Sequence, residues 1–179
     1  MKRILLALLL LAARLAADEV HTEFTSPPNP ADARPNSAAV PAVYAIDGRF
    51  DRIVVLRLKF GTDLLAGLAE GVKQEKIRNA VILAGIGSVR GYHFHAVSNR
   101  EFPSKDMHVE NPAAPADIAG MNGYVIDGRI HAHLTLSDEH RAFGGHLEAG
   151  TEVFTFAIVT LGVLNDAVSF EHLDDKNYR

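Results

Sequence analysis

Apolar and polar positions alternate most cleanly over residues 130–137, where Ile130, Ala132, Leu134 and Leu136 interleave with His131, His133, Thr135 and Ser137. Successive side chains of a β-strand point to opposite faces, so this period predicts a strand with one oily face and one face carrying two imidazoles. A polar turn over 138–141 precedes a second run in which His146 and Glu148 share a face, which predicts a return strand. Upstream, residues 52–60 are β-branched and partly alternating, end at Gly61, and predict another strand. Thr62 or Asp63 can cap a helix with an apolar stripe at Leu65, Leu68, Ala69 and Val72 that reaches about Ile77; Gly67 and Gly71 weaken it. Residues 80–87 are apolar throughout and read as a central strand buried on both faces, and 91–98 predict a strand with His93 and His95 on a common face. Residues 99–115 hold three prolines and no clean period, and read as a long surface loop. Residues 116–127 read as a strand closed by the hairpin signal Asp127-Gly128, and 151–163 form a long apolar run that suits a core strand or a subunit interface.

The chain thus reads as several strands with one helix. A chain of 179 residues with 47% hydrophobic content suffices for one such domain with a real core. The first stretch does not belong to it. Lys2 and Arg3 precede the apolar run 4–13, which has the length of a signal-peptide core and falls short of a membrane-spanning helix, so residues 1–17 are expected to be a signal peptide and the protein periplasmic or secreted. Residues 18–42 carry Pro27, Pro28, Pro30, Pro35 and Pro41 among small polar residues and read as a Pro-rich disordered linker, which puts the domain at 43–179.

Charge and cysteine content narrow the chemistry. A net charge of −4 does not suit a surface built to neutralise phosphates. Without cysteine there are no disulfides and no thiolate ligands, so His, Asp and Glu are left as the strong metal ligands. Zinc and related ions bind neutral imidazole nitrogens, and a His-x-His strand offers two on one face, with His146 available as a third. Gly144-Gly145 allows the backbone to pass close to a metal or substrate. Three protein ligands leave a position open for water or substrate, and Glu148 is a candidate general acid or base beside it. The other reading of His131, His133 and His146 is a set of polar residues on a solvated face. His93 and His95 show no third ligand in their own segment, and His108, in the expected loop, could cover the site.

The chain resembles the PPC (plants and prokaryotes conserved) domain. The resemblance rests on Arg52-Ile-Val-Val-Leu-Arg-Leu, the helix start at Asp63-Leu-Leu, Ala84-Gly-Ile-Gly-Ser, Gly128-Arg-Ile-His-Ala-His-Leu-Thr-Leu-Ser-Asp and Gly144-Gly-His-Leu-Glu, and it covers about residues 50 to 165. It implies a compact α/β (α+β) domain with a largely antiparallel sheet and few helices that assembles as a homotrimer, and a metal site at His131, His133 and His146. The fold is also similar to acetolactate decarboxylase, in which a three-His zinc polarises a small oxo acid. The family is labelled DNA-binding as well, because its plant members add an Arg-Gly-Arg-Pro-like hook, an element this sequence lacks. The expectation is therefore an exported homotrimer holding a divalent metal, zinc, with a small-molecule or enzymatic site at the metal. The alternatives are a DNA-binding protein and a structural trimeric binding module.

Overall fold

The computed structural model describes residues 21–179. The expected signal peptide and the first residues of the expected linker lie outside the described residues. Eight strands and one α-helix follow in the order β1 (Thr22–Thr25), β2 (Phe50–Lys59), α1 (Leu64–Gln74), β3 (Ala80–Val97), β4 (Asp106–Asn111), β5 (Ala116–Ile126), β6 (Arg129–Ser137), β7 (Ala142–Leu147) and β8 (Glu152–Leu164). All pairings are antiparallel. Among the described residues, no helix is long and apolar enough to cross a membrane.

The centre of the sheet is β3, an 18-residue strand that joins the two runs expected at 80–87 and 91–98. Along one edge it pairs first with β5 and then with β4; along the other it pairs with β8 and then, at Phe94 and His95, with β7. Because β5 pairs with β6 and β6 with β7, strands β3, β5, β6 and β7 form a closed circuit. The outer strands are β2, on β8, and β1, on β4. The β5–β6 hairpin turns through Asp127 (φ 48°) and Gly128 (φ 79°), both in the left-handed region that a two-residue turn of this kind needs.

The oily face of β6 points inward as its alternation requires, with Ala132, Leu134 and Leu136 buried. They meet Val89, Val153, Val159, Leu161 and the helix residues Leu64, Leu68 and Val72 in one core. Asp63 caps α1 by accepting a hydrogen bond from the Ala66 amide at 2.8 Å. The helix buries Leu64 rather than Ala69, which is exposed, and it stops at Gln74, short of Ile77. Its glycines are contact positions: a Cβ on Gly67 would stand 2.6 Å from Leu58 and one on Gly71 2.7 Å from Leu56, so their absence lets α1 lie against β2.

Three expectations need correction. Residues 80–87 are not buried on both faces: Leu83 and Ile86 are exposed, and with Ile53, Val55 and Phe156 they give the β2–β8–β3 sheet an uncovered apolar face. The region 99–115 is not all loop, since Asp106–Asn111 forms β4 between β3 and β1. Part of the expected linker is also ordered, since Thr22–Thr25 forms β1. β1 pairs with a strand far away in sequence, and β4 holds a single β-branched residue, Val109, so local composition carries little trace of either.

Candidate metal centre

Antiparallel register places one residue of each strand directly opposite one on the next, with Cα atoms about 4.5–5.5 Å apart and side chains on the same face. Here it aligns a single row: Asn122 on β5, His133 on β6, His146 on β7, His95 on β3, His108 on β4 and Phe24 on β1. Four of the six are histidines. Their ring centroids are 5.2 Å apart for His133 and His146, 4.5 Å for His146 and His95, and 5.2 Å for His95 and His108. His131, two residues before His133, brings its ring 4.8 Å from that of His146.

Two groups that could hold a metal ion lie along this row. One nitrogen each from His131, His133 and His146 lie within 4.8 Å of one another, and the same limit holds for His95, His108 and Glu148. Tetrahedral zinc with Zn–N near 2.0–2.1 Å sets its nitrogens about 3.3 Å apart, so nitrogens within 4.8 Å of one another must draw in by at most about 1.5 Å to share one ion. Hollows of about 320 and 360 Å³ flank His133, the second lined in part by His131, Tyr124, Leu173 and Asp174, so the group opens to solvent. A larger hollow of about 1440 Å³ lies apart from this row, beside Ile86 and Phe156 on the uncovered apolar face.

The electrostatics favour neutral imidazoles. Burial, and then the neighbouring His95, His131 and His133, push the His146 pKa down to about 4. Burial, with His131 and His95, also lowers that of His133. A metal binds the unprotonated ring, so at neutral pH neither histidine has a proton to give up first.

Groups outside the ligand set hold the rings. Asp174 Oδ1 stands 2.9 Å from His131 Nδ1, which favours the proton on that nitrogen and leaves Nε2 with its lone pair. Asp174 lies in the C-terminal segment, whose composition shows no such role; only folding brings it to β6. Glu148 Oε1 lies 2.6 Å from His95 Nδ1, so the carboxylate expected to serve as a free acid or base is engaged by a histidine. His93 reaches the row indirectly, through His108. The two glycines line the hollow beside His133 and also allow close strand packing: a Cβ on Gly144 would strike the Leu134 carbonyl oxygen, and one on Gly145 the His95 carbonyl oxygen. They let β7 pass between its neighbours, which seats His146. His21, His140 and His172 stand apart, each beside a local carboxylate.

Residues 46–165 match the Plants and Prokaryotes Conserved (PCC) domain, the family abbreviated PPC above. The chain belongs to that family. A metal-containing protein from Archaeoglobus fulgidus has a similar structure, with a TM-score of 0.58 at 23% identity over 68% of this chain and 86% of that one. A plant- and prokaryote-conserved protein from Pyrococcus horikoshii gives a TM-score of 0.57 at 26% identity, over 69% and 87% of the two chains. A candidate DNA-binding protein from Bacteroides thetaiotaomicron gives 0.52 at 14% identity, over 66% and 83%. Among curated sequences, the bifunctional protein GlmU of a Synechococcus strain is 26% identical over 129 residues; the match takes in 72% of this chain and 20% of that protein's length.

Proposed function

We propose that this protein is an exported member of the family that binds one divalent metal, zinc, through His131, His133 and His146 and presents the metal's open position to a small ligand. The observation that carries this reading is the convergence of three imidazoles, one ligand nitrogen each within 4.8 Å, on the face of β6 and β7 opposite the core. The donor set fits. Three neutral imidazoles without a thiolate suit zinc or a neighbouring first-row ion, and three ligands leave a position for water or a carbonyl or carboxylate oxygen. Bound there, the ion would supply Lewis-acid polarisation of that oxygen. The protein's own part is to hold the three rings neutral and aimed, with Asp174 fixing His131. The Archaeoglobus fulgidus relative of the same fold is a metal-containing protein, which agrees with this reading.

The uncovered apolar face supports homotrimer assembly. Val55 is 61% exposed and Ile86 55%, on a patch shared by three adjacent strands, an arrangement typical of a subunit contact. Charge at its centre, as in Ile86→Glu, should convert the trimer to monomer in analytical ultracentrifugation; a variant that sediments like the wild type would place the contact elsewhere. Export rests on Lys2 and Arg3 ahead of the apolar run 4–13. The net charge of −4 weighs against the DNA-binding alternative, as does the lack of an Arg-Gly-Arg-Pro-like element.

Titration of metal-free protein with Co²⁺, followed by visible absorption, tests the metal reading. A tetrahedral cobalt spectrum that zinc displaces is expected. Absence of any protein-bound cobalt signal in folded protein would reject it.

A further inference from the structure

We propose that His95, His108 and Glu148 form a second divalent transition-metal site beside the first, so that the pocket holds two cations side by side. This rests on reading His131, His133 and His146 as a metal site, because the second group abuts the first at the stacked rings of His95 and His146, 4.5 Å apart.

The hydrogen bonds and the contact between Glu148 and His95 show which atoms face a common gap. The Ala149 carbonyl can only accept, so at 2.8 Å it holds a proton of His93 on Nδ1. His93 Nε2 is then left to accept from His108 Nδ1 at 3.0 Å. That orients the His108 ring through Nδ1 and leaves its Nε2 as the ligand atom, the arrangement in which proteins hold metal-ligating histidines. On the other side of the row, a Glu148 carboxylate oxygen and His95 Nδ1 point at one another across 2.6 Å, where a cation would take the place of the proton they share. One ligand atom from each of the three residues lies within 4.8 Å of the others. The donor set of two imidazole nitrogens and one carboxylate oxygen suits zinc, cobalt, nickel or manganese and not a soft monovalent ion.

The surrounding structure keeps these groups together. Phe24 of β1 stacks on the His108 ring, centroids 4.7 Å apart and planes 3° from parallel, and covers its outer side. The Glu148 amide donates to the His93 carbonyl at 3.1 Å and carries the β7–β3 ladder one step past Leu147, which places the carboxylate on the histidine face. His95 and Glu148 are half-buried, so their contact is not a solvated surface pair. A general acid or base would need a carboxylate free to reach substrate; one already bound to a histidine beside a further imidazole has the position of a ligand.

The test is metal stoichiometry on the purified full chain, by equilibrium dialysis against Zn²⁺ followed by elemental mass spectrometry. Wild type, His133→Ala, His108→Ala and Glu148→Gln are compared, with circular dichroism to confirm folding. Wild type should hold two equivalents per chain, and His133→Ala and His108→Ala one each. Glu148→Gln, which removes the charged ligand, should weaken the second equivalent by at least the roughly 10- to 100-fold that an outer-shell partner is worth, while sparing the first. His108→Gln, which keeps a side chain under Phe24, replaces His108→Ala should the latter not fold. One equivalent in wild type, lost in His133→Ala and kept in His108→Ala, would overturn the second site and leave the first standing. One equivalent lost in both would mean a single shared ion and overturn it equally. No bound metal at all would overturn both readings.

Discussion

Replacing Gly145 by alanine tests whether strand spacing sets the metal centre. Gly145 precedes His146 on β7, and an added Cβ would fall inside the van der Waals shell of the His95 carbonyl oxygen, 3.1 Å from that carbonyl's carbon and 3.1 Å from Phe94 Cδ2. A relaxed carbon-to-oxygen contact is about 3.3 Å, so β3 and β7 must separate by something on the order of 1 Å. Overpacking of this kind costs about 1–3 kcal/mol. For a chain of this size each kcal/mol lowers Tm by roughly 2–4 °C, so a fall of about 2–12 °C is expected in the metal-free protein. The same separation moves His95 away from His146, so metal affinity should fall as well. Gly120→Ala is the control. A Cβ there meets nothing within 4 Å, so the change should stay within about 0.5 kcal/mol of wild type. Urea denaturation of both variants, followed by circular dichroism, reads the difference. Equal stability of Gly145→Ala and Gly120→Ala would refute the claim that β7 is threaded between its neighbours by glycine.

Metal-free protein should lose stability as pH falls from about 6.5 toward 4. The His146 pKa is pushed down to about 4, first by burial and then by His95, His131 and His133, so the unfolded chain takes up a proton through this window before the native one does. Because His146 is only half-buried, the loss is discounted to on the order of 1–2 kcal/mol, readable as a lower urea midpoint at pH 5 than at pH 7; an unchanged or higher midpoint would contradict the cause given. Asp174→Ala should weaken zinc binding about 10- to 100-fold at little cost in fold, because it frees the His131 ring. Unaltered affinity in competition with a chromogenic chelator would remove Asp174 from the site.

Much of this architecture is legible along the chain where the determining contacts are local. The alternation in 130–137 gives both the buried face of β6 and the shared face of His131 and His133, and Asp127-Gly128 gives the hairpin that precedes it. The cap at Asp63 is legible for the same reason. What escapes the sequence depends on strand pairing that no local pattern records. β4 has few β-branched residues and sits among prolines, and it is a strand because β3 and β1 pair with it. With β4 unread, His108 looks like a loop residue and His95 lacks a third ligand. The pairing of His95 with His146 arises because one long strand serves β5 and β8 along one half and β4 and β7 along the other, which no local period records. Asp174 is missed likewise, since a polar tail carries no sign of where it docks.

The central claim is that the three histidines of β6 and β7 hold a metal, and its most direct test is the metal content of the protein as purified, by elemental mass spectrometry, wild type beside His131→Ala, His133→Ala and His146→Ala. Divalent metal near or above stoichiometry in wild type, with one equivalent lost in every variant, is the expected result. Folded wild type that carries no metal and takes up none on reconstitution would contradict it.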